Sequence, residues 1–265
     1  MKIIILSIFL FIIQPIFSDS LEEARKLRAN GQVQDAINLL KSNPGGSDGE
    51  KLLAKLYLDK NMCNEALQIY GKICHTINSH DCFNEKGISQ ICLNQYDAAR
   101  SSFEKAISLQ DKSSVAYSNL AQAYFLLEDN DKAEENHLKA LEISPFGTLP
   151  RINYGVFLVK TKKYKQAQAV FYSVLSENKS LFYAELYLGI AHYMKEEYNS
   201  ALIHLNRGLA LNPEYYDLYY YRALLYYKKG DYNRSLHDLK MVDKLFPENE
   251  KSTALRNIIK KNIKI

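Results

Sequence analysis

Apolar residues recur three and four positions apart along most of this chain, in short stretches broken by polar turns. Between Ser114 and Gly147, Tyr117, Leu120, Ala121 and Tyr124 fall on one side of a helix. Glu128-Asp129-Asn130-Asp131 then interrupts the pattern with turn formers, and a second stripe follows at Ala133, His137 and Ala140. Pro145 closes it, because proline cannot continue a helix. The pattern predicts a helix, a turn and a second helix, and small residues on the facing stripes let the two approach closely.

The same unit returns at a fixed interval. Small residues stand at Ala54, Gly87, Ala121, Gly155, Gly189 and Ala223, spaced by 33 residues and then by 34 throughout. A second series, Ala66, Ala99, Ala133, Ala167, Ala201 and Ser235, keeps the same spacings. Pro145, Pro213 and Pro247 form an incomplete third series. A unit of this size cannot bury its apolar face alone, so fixed self-similarity at this period predicts stacked repeats in a solenoid.

These positions resemble the tetratricopeptide repeat (TPR) family, whose pattern runs aromatic, leucine, small, tyrosine, alanine, aromatic, alanine, proline. Leu53-Ala54, Tyr57, Ala66 and Tyr70 carry it in one unit, and Phe83, Gly87, Ala99, Phe103 and Ala106 in the next. Tyr154-Gly155, Ala167 and Phe171 follow, then Leu188-Gly189, Ala201, Leu205 and Pro213, and finally Tyr219, Ala223, Tyr226, Leu239 and Pro247. His137, His192 and Ser235 depart from the pattern. The resemblance implies an all-α superhelical solenoid of antiparallel helix pairs. Six repeats are expected at 47–79, 80–113, 114–147, 148–181, 182–215 and 216–249, after a degenerate first one at 19–46.

The stretch 250–265 places Leu255, Ile258, Ile259 and Ile263 among Lys260, Lys261 and Lys264. As a helix it would cap the exposed end of the last repeat, with its lysines in water. A membrane-surface helix would use the same ingredients. At the other end, Met1-Lys2 precedes an apolar run from Ile3 to Ile13, broken by Gln14-Pro15, with Ser18 offering a small residue at a cleavage point. Residues 1–18 thus have the layout of a secretory signal peptide, the alternative being an uncleaved N-terminal anchor. Export to the periplasm or cell envelope is the expectation. A net charge of +4, spread over many acids and bases, argues against nucleic acid as the main partner.

All four cysteines lie in two neighbouring units. Cys74 and Cys82 flank a single interhelix turn, while Cys63 and Cys92 lie in successive units whose helices run side by side. An even count in an exported chain favours disulfides, paired as Cys74 with Cys82 inside Cys63 with Cys92. The competing arrangement is a metal site from Cys74-His75, His80 and Cys82, whose spacing matches no zinc motif and which an oxidising compartment disfavours. No metal and no cofactor are expected.

The sequence holds no G-x-S-x-G, H-E-x-x-H, P-loop or C-x-x-C, so no catalytic activity is expected. The resemblance implies instead a module that holds a protein or peptide segment against the first helices of successive repeats. The alternative is an envelope assembly scaffold docking through its convex face or ends, with membrane contact allowed but not required. In the repeat frame the groove positions are Asn119, Gln122, Asn153 and Val156, then Tyr183, Leu186, Tyr187, Ile190 and Tyr193, then Tyr220, Tyr221, Leu224 and Tyr227. Asn119 and Asn153 occupy equivalent places, where an amide can both donate to and accept from a peptide backbone. Tyrosines supply apolar area with a polar tip, so an extended or helical partner with apolar anchors is expected over the last three repeats.

Overall fold

The structure, a computed structural model, describes residues 20–263. The expected signal segment at 1–18 lies outside the described residues, as do Lys264 and Ile265 of the closing segment. The chain forms two compact units, one ending at Ile143 and the other beginning at Ser144.

The first unit is helical throughout: α1 at residues 20–29, α2 Val33–Ser42, α3 Ser47–Asp59, α4 Cys63–Ile77, α5 His80–Cys92, α6 Tyr96–Leu109, α7 Ser114–Leu126 and α8 Asn130–Ile143. The second continues with α9 Thr148–Lys160, α10 Tyr164–Glu177, α11 Phe182–Met194, α12 Tyr198–Leu211, α13 Tyr216–Lys228, α14 Tyr232–Leu245 and α15 Glu250–Ile263. Within each unit consecutive helices pack on one another, and the short connections make them antiparallel neighbours. No strand occurs among the described residues.

The tight turns inside the pairs share one backbone device. The second residue after each first helix takes the left-handed conformation, at Gly31, Asn61, Asn94 and Glu128 in the first unit and at Lys162, Glu196 and Gly230 in the second. Asparagine and glycine adopt this geometry readily, whereas glutamate and lysine do so at a cost. Ser79 and Ser113 then cap α5 and α7 by accepting from the amides of Cys82 and Ala116.

The repeated small residues lie where helices cross. Ala54, Ala66, Ala99, Ala121 and Ala133 are fully buried in the first unit, as are Ala167, Ala201, Ala223 and Ser235 in the second. Ser235 stands in the alanine series without penalty because its hydroxyl donates to the Ala223 carbonyl at 2.8 Å. Leu40, Leu56, Tyr70, Cys74 and Cys82 fill the core of the first unit. There Cys63 is joined to Cys92 and Cys74 to Cys82, with Cα atoms 6.1 and 5.5 Å apart, so α4 and α5 are bridged at two levels.

At the end of the second unit α15 buries Leu255 and Ile259 against Ala223 and Leu239. Arg256 pairs with Asp243, and Ser252 donates to the same carboxylate at 2.8 Å. The apolar stripe of this segment thus covers the last pair as a cap, while Ile258 stays 47% exposed on the other side.

Candidate partner-binding face

In the second unit α9, α11 and α13 are the first helices of successive pairs and lie side by side. Their shared face is built by spacing: positions three and four apart on α11 and α13 project together. Tyr183, Tyr187 and Tyr193 come from α11, and Tyr220, Tyr221 and Tyr227 from α13. The charge environment groups them. Tyr221 lies within electrostatic reach of Tyr187, Tyr193 and Tyr220, and Tyr193 within reach of Tyr220 and Tyr227. Burial raises the pKa of the Tyr187, Tyr193, Tyr220 and Tyr221 phenols, that of Tyr221 to about 12, so these four rings carry neutral hydroxyls at physiological pH.

The expected positions differ in how available they are. Tyr183 is 43% exposed, and Tyr187, Tyr193, Tyr220, Tyr221, Leu224 and Tyr227 are half-buried. Ile190 is a correction: only 6% of it is exposed, and Leu186 is hidden as well, because this side of α11 packs into the core instead of facing out. They support the face from below and offer no contact surface. Tyr187 is partly committed as well, stacked on the core ring of Phe171 with centroids 5.8 Å apart and planes at 10°. Tyr227 accepts a hydrogen bond from Asn262 of the cap at 3.1 Å. Asn153, on α9, is half-buried. In the first unit Gln122 is exposed, while Asn119 spends its amide on Asn84 at 2.9 Å.

Two features escaped the sequence frame. The first is Asp217, at the start of α13 between Tyr215 and the tyrosine pair Tyr220 and Tyr221. Its carboxylate charge reaches Tyr187, Tyr215, Tyr220 and Tyr221. Burial raises the Asp217 pKa, with Lys251 and the Tyr215 hydroxyl pulling the other way. Tyr215 extends the aromatic patch, its ring 5.3 Å from Tyr183 and 5.1 Å from Phe182.

The second is a polar chain among α10, α11 and α12, built around the buried His192, His204 and Glu185 and reaching the surface at Tyr172. The Tyr172 hydroxyl meets Nε2 of His192 at 3.0 Å and of His204 at 3.2 Å, and the two imidazoles stack with planes 4° apart. His204 Nδ1 lies 2.6 Å from Glu185, and His192 Nδ1 lies 2.5 Å from Glu197. Hydrogen bonds from Lys195 and His192 hold the Glu197 carboxyl down at about 2. Spacing alone gives these histidines as packing or surface residues, whereas the structure makes them polar ties between successive pairs. The signal was their partners, Glu185 and Glu197, which sit on a neighbouring helix and a turn, not on the same stripe.

Comparison with known proteins agrees with this architecture. Residues 186–249 match a tetratricopeptide repeat model, and residues 53–146 match the model of the coatomer epsilon subunit. Neither is the model of an enzyme family. A BBSome complex member of Bos taurus, BBS4, is 26% identical over 152 residues, covering 55% of this chain and 29% of that protein. The chain spans between 23% and 36% of the length of the curated relatives it matches. A tetratricopeptide repeat protein from Parabacteroides merdae superposes with a TM-score of 0.75 at 15% identity, over 92% of this chain and 98% of that one. PilW, a type IV pilus biogenesis factor, superposes with a TM-score of 0.65 at 23% identity, over 70% and 86% of the two chains. With its recurring helix pairs, its small residues at their crossings and these likenesses, the chain has the all-α tetratricopeptide repeat fold, and residues 186–249 match that repeat in sequence.

Proposed function

We propose that the chain binds a segment of a partner protein on the first-helix face of α11 and α13. The observation that carries this is the concentration there of six half-exposed or exposed tyrosines, Tyr183, Tyr187, Tyr193, Tyr220, Tyr221 and Tyr227. A ring of this kind keeps apolar area at the surface with little rotamer entropy to lose, and its hydroxyl supplies a hydrogen bond wherever the partner's backbone runs. Asn153 on the adjacent α9 extends the face with an amide that both donates and accepts. The PilW likeness and the layout of residues 1–18 support a place in the cell envelope after export. Among the described residues no helix is long and apolar enough to cross a membrane.

Photo-crosslinking tests the assignment. A benzophenone amino acid at Tyr183 or Tyr220 should join the chain to a discrete partner in cells, and one at Ile203, exposed on α12, should not. Crosslinks from Ile203 alone would favour an envelope scaffold that docks through its second helices. N-terminal sequencing of the mature chain tests export, which predicts a start at Asp19.

A further inference from the structure

We infer that the segment held on this face is anchored by a basic side chain, a lysine or an arginine, seated against Asp217 and the tyrosine rings around it; this rests on the partner-binding role proposed above.

Charge complementarity carries the choice of occupant. Among the described residues no basic group lies within 4.0 Å of the Asp217 carboxylate; Lys251 acts on it only from farther away. The other acid on the first-helix stretch of this region, Glu185, is buried and already paired with His204 at 2.6 Å. Asp217 is thus the acid on this face with a charge to spend. It is also half-buried, and a carboxylate taken partly out of water gains more from an incoming cation than an exposed one does.

The aromatic surroundings select the same chemistry. Tyr220 and Tyr221 follow Asp217 by three and four residues on α13 and so share its side of the helix, and the carboxylate's charge acts on them as well as on Tyr187 and Tyr215. Their negative faces attract a cation, and their apolar area covers the methylene stem that carries it. An acidic segment would meet repulsion from Asp217 with only Lys251 to offset it. A purely apolar segment would leave the carboxylate desolvated without compensation. A basic anchor resolves both.

The test uses two tripeptide probes, acetyl-leucyl-arginyl-leucinamide and its citrulline counterpart, which has the same shape without the charge. Tyrosine-ring NMR on the full chain reads both titrations. The arginine peptide should shift the ring resonances of Tyr220 and Tyr221 and bind at least tenfold more tightly than the citrulline peptide. Asp217→Asn should erase that difference and leave citrulline binding in place, and Lys251→Gln, which removes the nearby competing charge, should strengthen arginine binding. Equal affinity for the two peptides would overturn the basic anchor while leaving the face itself as a binding surface. No ring shift with either peptide would overturn both.

Discussion

Phe171 lies so close to Gly155 that a Cβ at that glycine would meet its ring at 2.6 Å. The same ring stacks on Tyr187, so one core residue fixes both the contact of α9 with α10 and the placement of a tyrosine on the partner face. Gly155→Ala should therefore destabilise the chain by about 1–3 kcal/mol through overpacking. Urea unfolding measures it. Phe171→Leu in the same chain should recover part of the loss, because Ala223 and Leu239 already combine alanine with leucine in equivalent places. A double variant as unstable as the sum of the two singles would contradict this.

The buried His137 makes the fold acid-sensitive. It stands 3% exposed where an aromatic residue is expected, and burial lowers its pKa to about 4. An unfolded histidine titrates near 6.5, so the folded state binds fewer protons between those two values. Its contribution is complete above pH 6.5 and is lost as the pH falls towards 4, a change on the order of 3 kcal/mol. His137→Phe should flatten that part of the curve of stability against pH, read by denaturant midpoints. An unchanged slope would assign the acid sensitivity to other groups.

At the turn between α9 and α10, Lys162 holds a φ of 63°. A side chain in this left-handed region costs on the order of 1 kcal/mol, and glycine escapes the cost. Lys162→Gly should raise the melting temperature, as the natural Gly230 in the same place of a later turn suggests. A lowered melting temperature would mean that the lysine side chain contributes more than its backbone strain takes away.

Much of this architecture is legible in the sequence because it depends on periodicity. Ala99 and Ala167 announce helix crossings, and one repeat predicts the next. The left-handed turn residues do not share a residue type, since Asn61, Glu128, Lys162 and Gly230 all fill the same conformation. The Glu185–His204 and Asn119–Asn84 contacts join separate helices through polar groups that carry no period. Ile190 was misplaced for a related reason. Position within one helix says which way it points, and only packing between neighbouring helices decides whether that side stays open.

The four cysteines make a prediction that chemistry can read directly. With loops of 29 and 8 residues between partners, each bridge should stabilise the chain by about 2.5–4 kcal/mol. Exported protein should resist alkylation until reduced, and reduction should lower its denaturant midpoint. Four thiols labelled without reductant would overturn the assignment of oxidised pairs.

The most direct measurement of the central claim is the affinity of the partner captured by crosslinking, for the native chain and for Tyr183→Ala with Tyr220→Ala. These two are chosen because Tyr187 also supports Phe171. Truncating two anchors at the centre of an interface should weaken binding by about 2 kcal/mol or more, some thirtyfold, with helical circular dichroism unchanged. Equal affinities for the two proteins would contradict the account and move the binding surface away from α11 and α13.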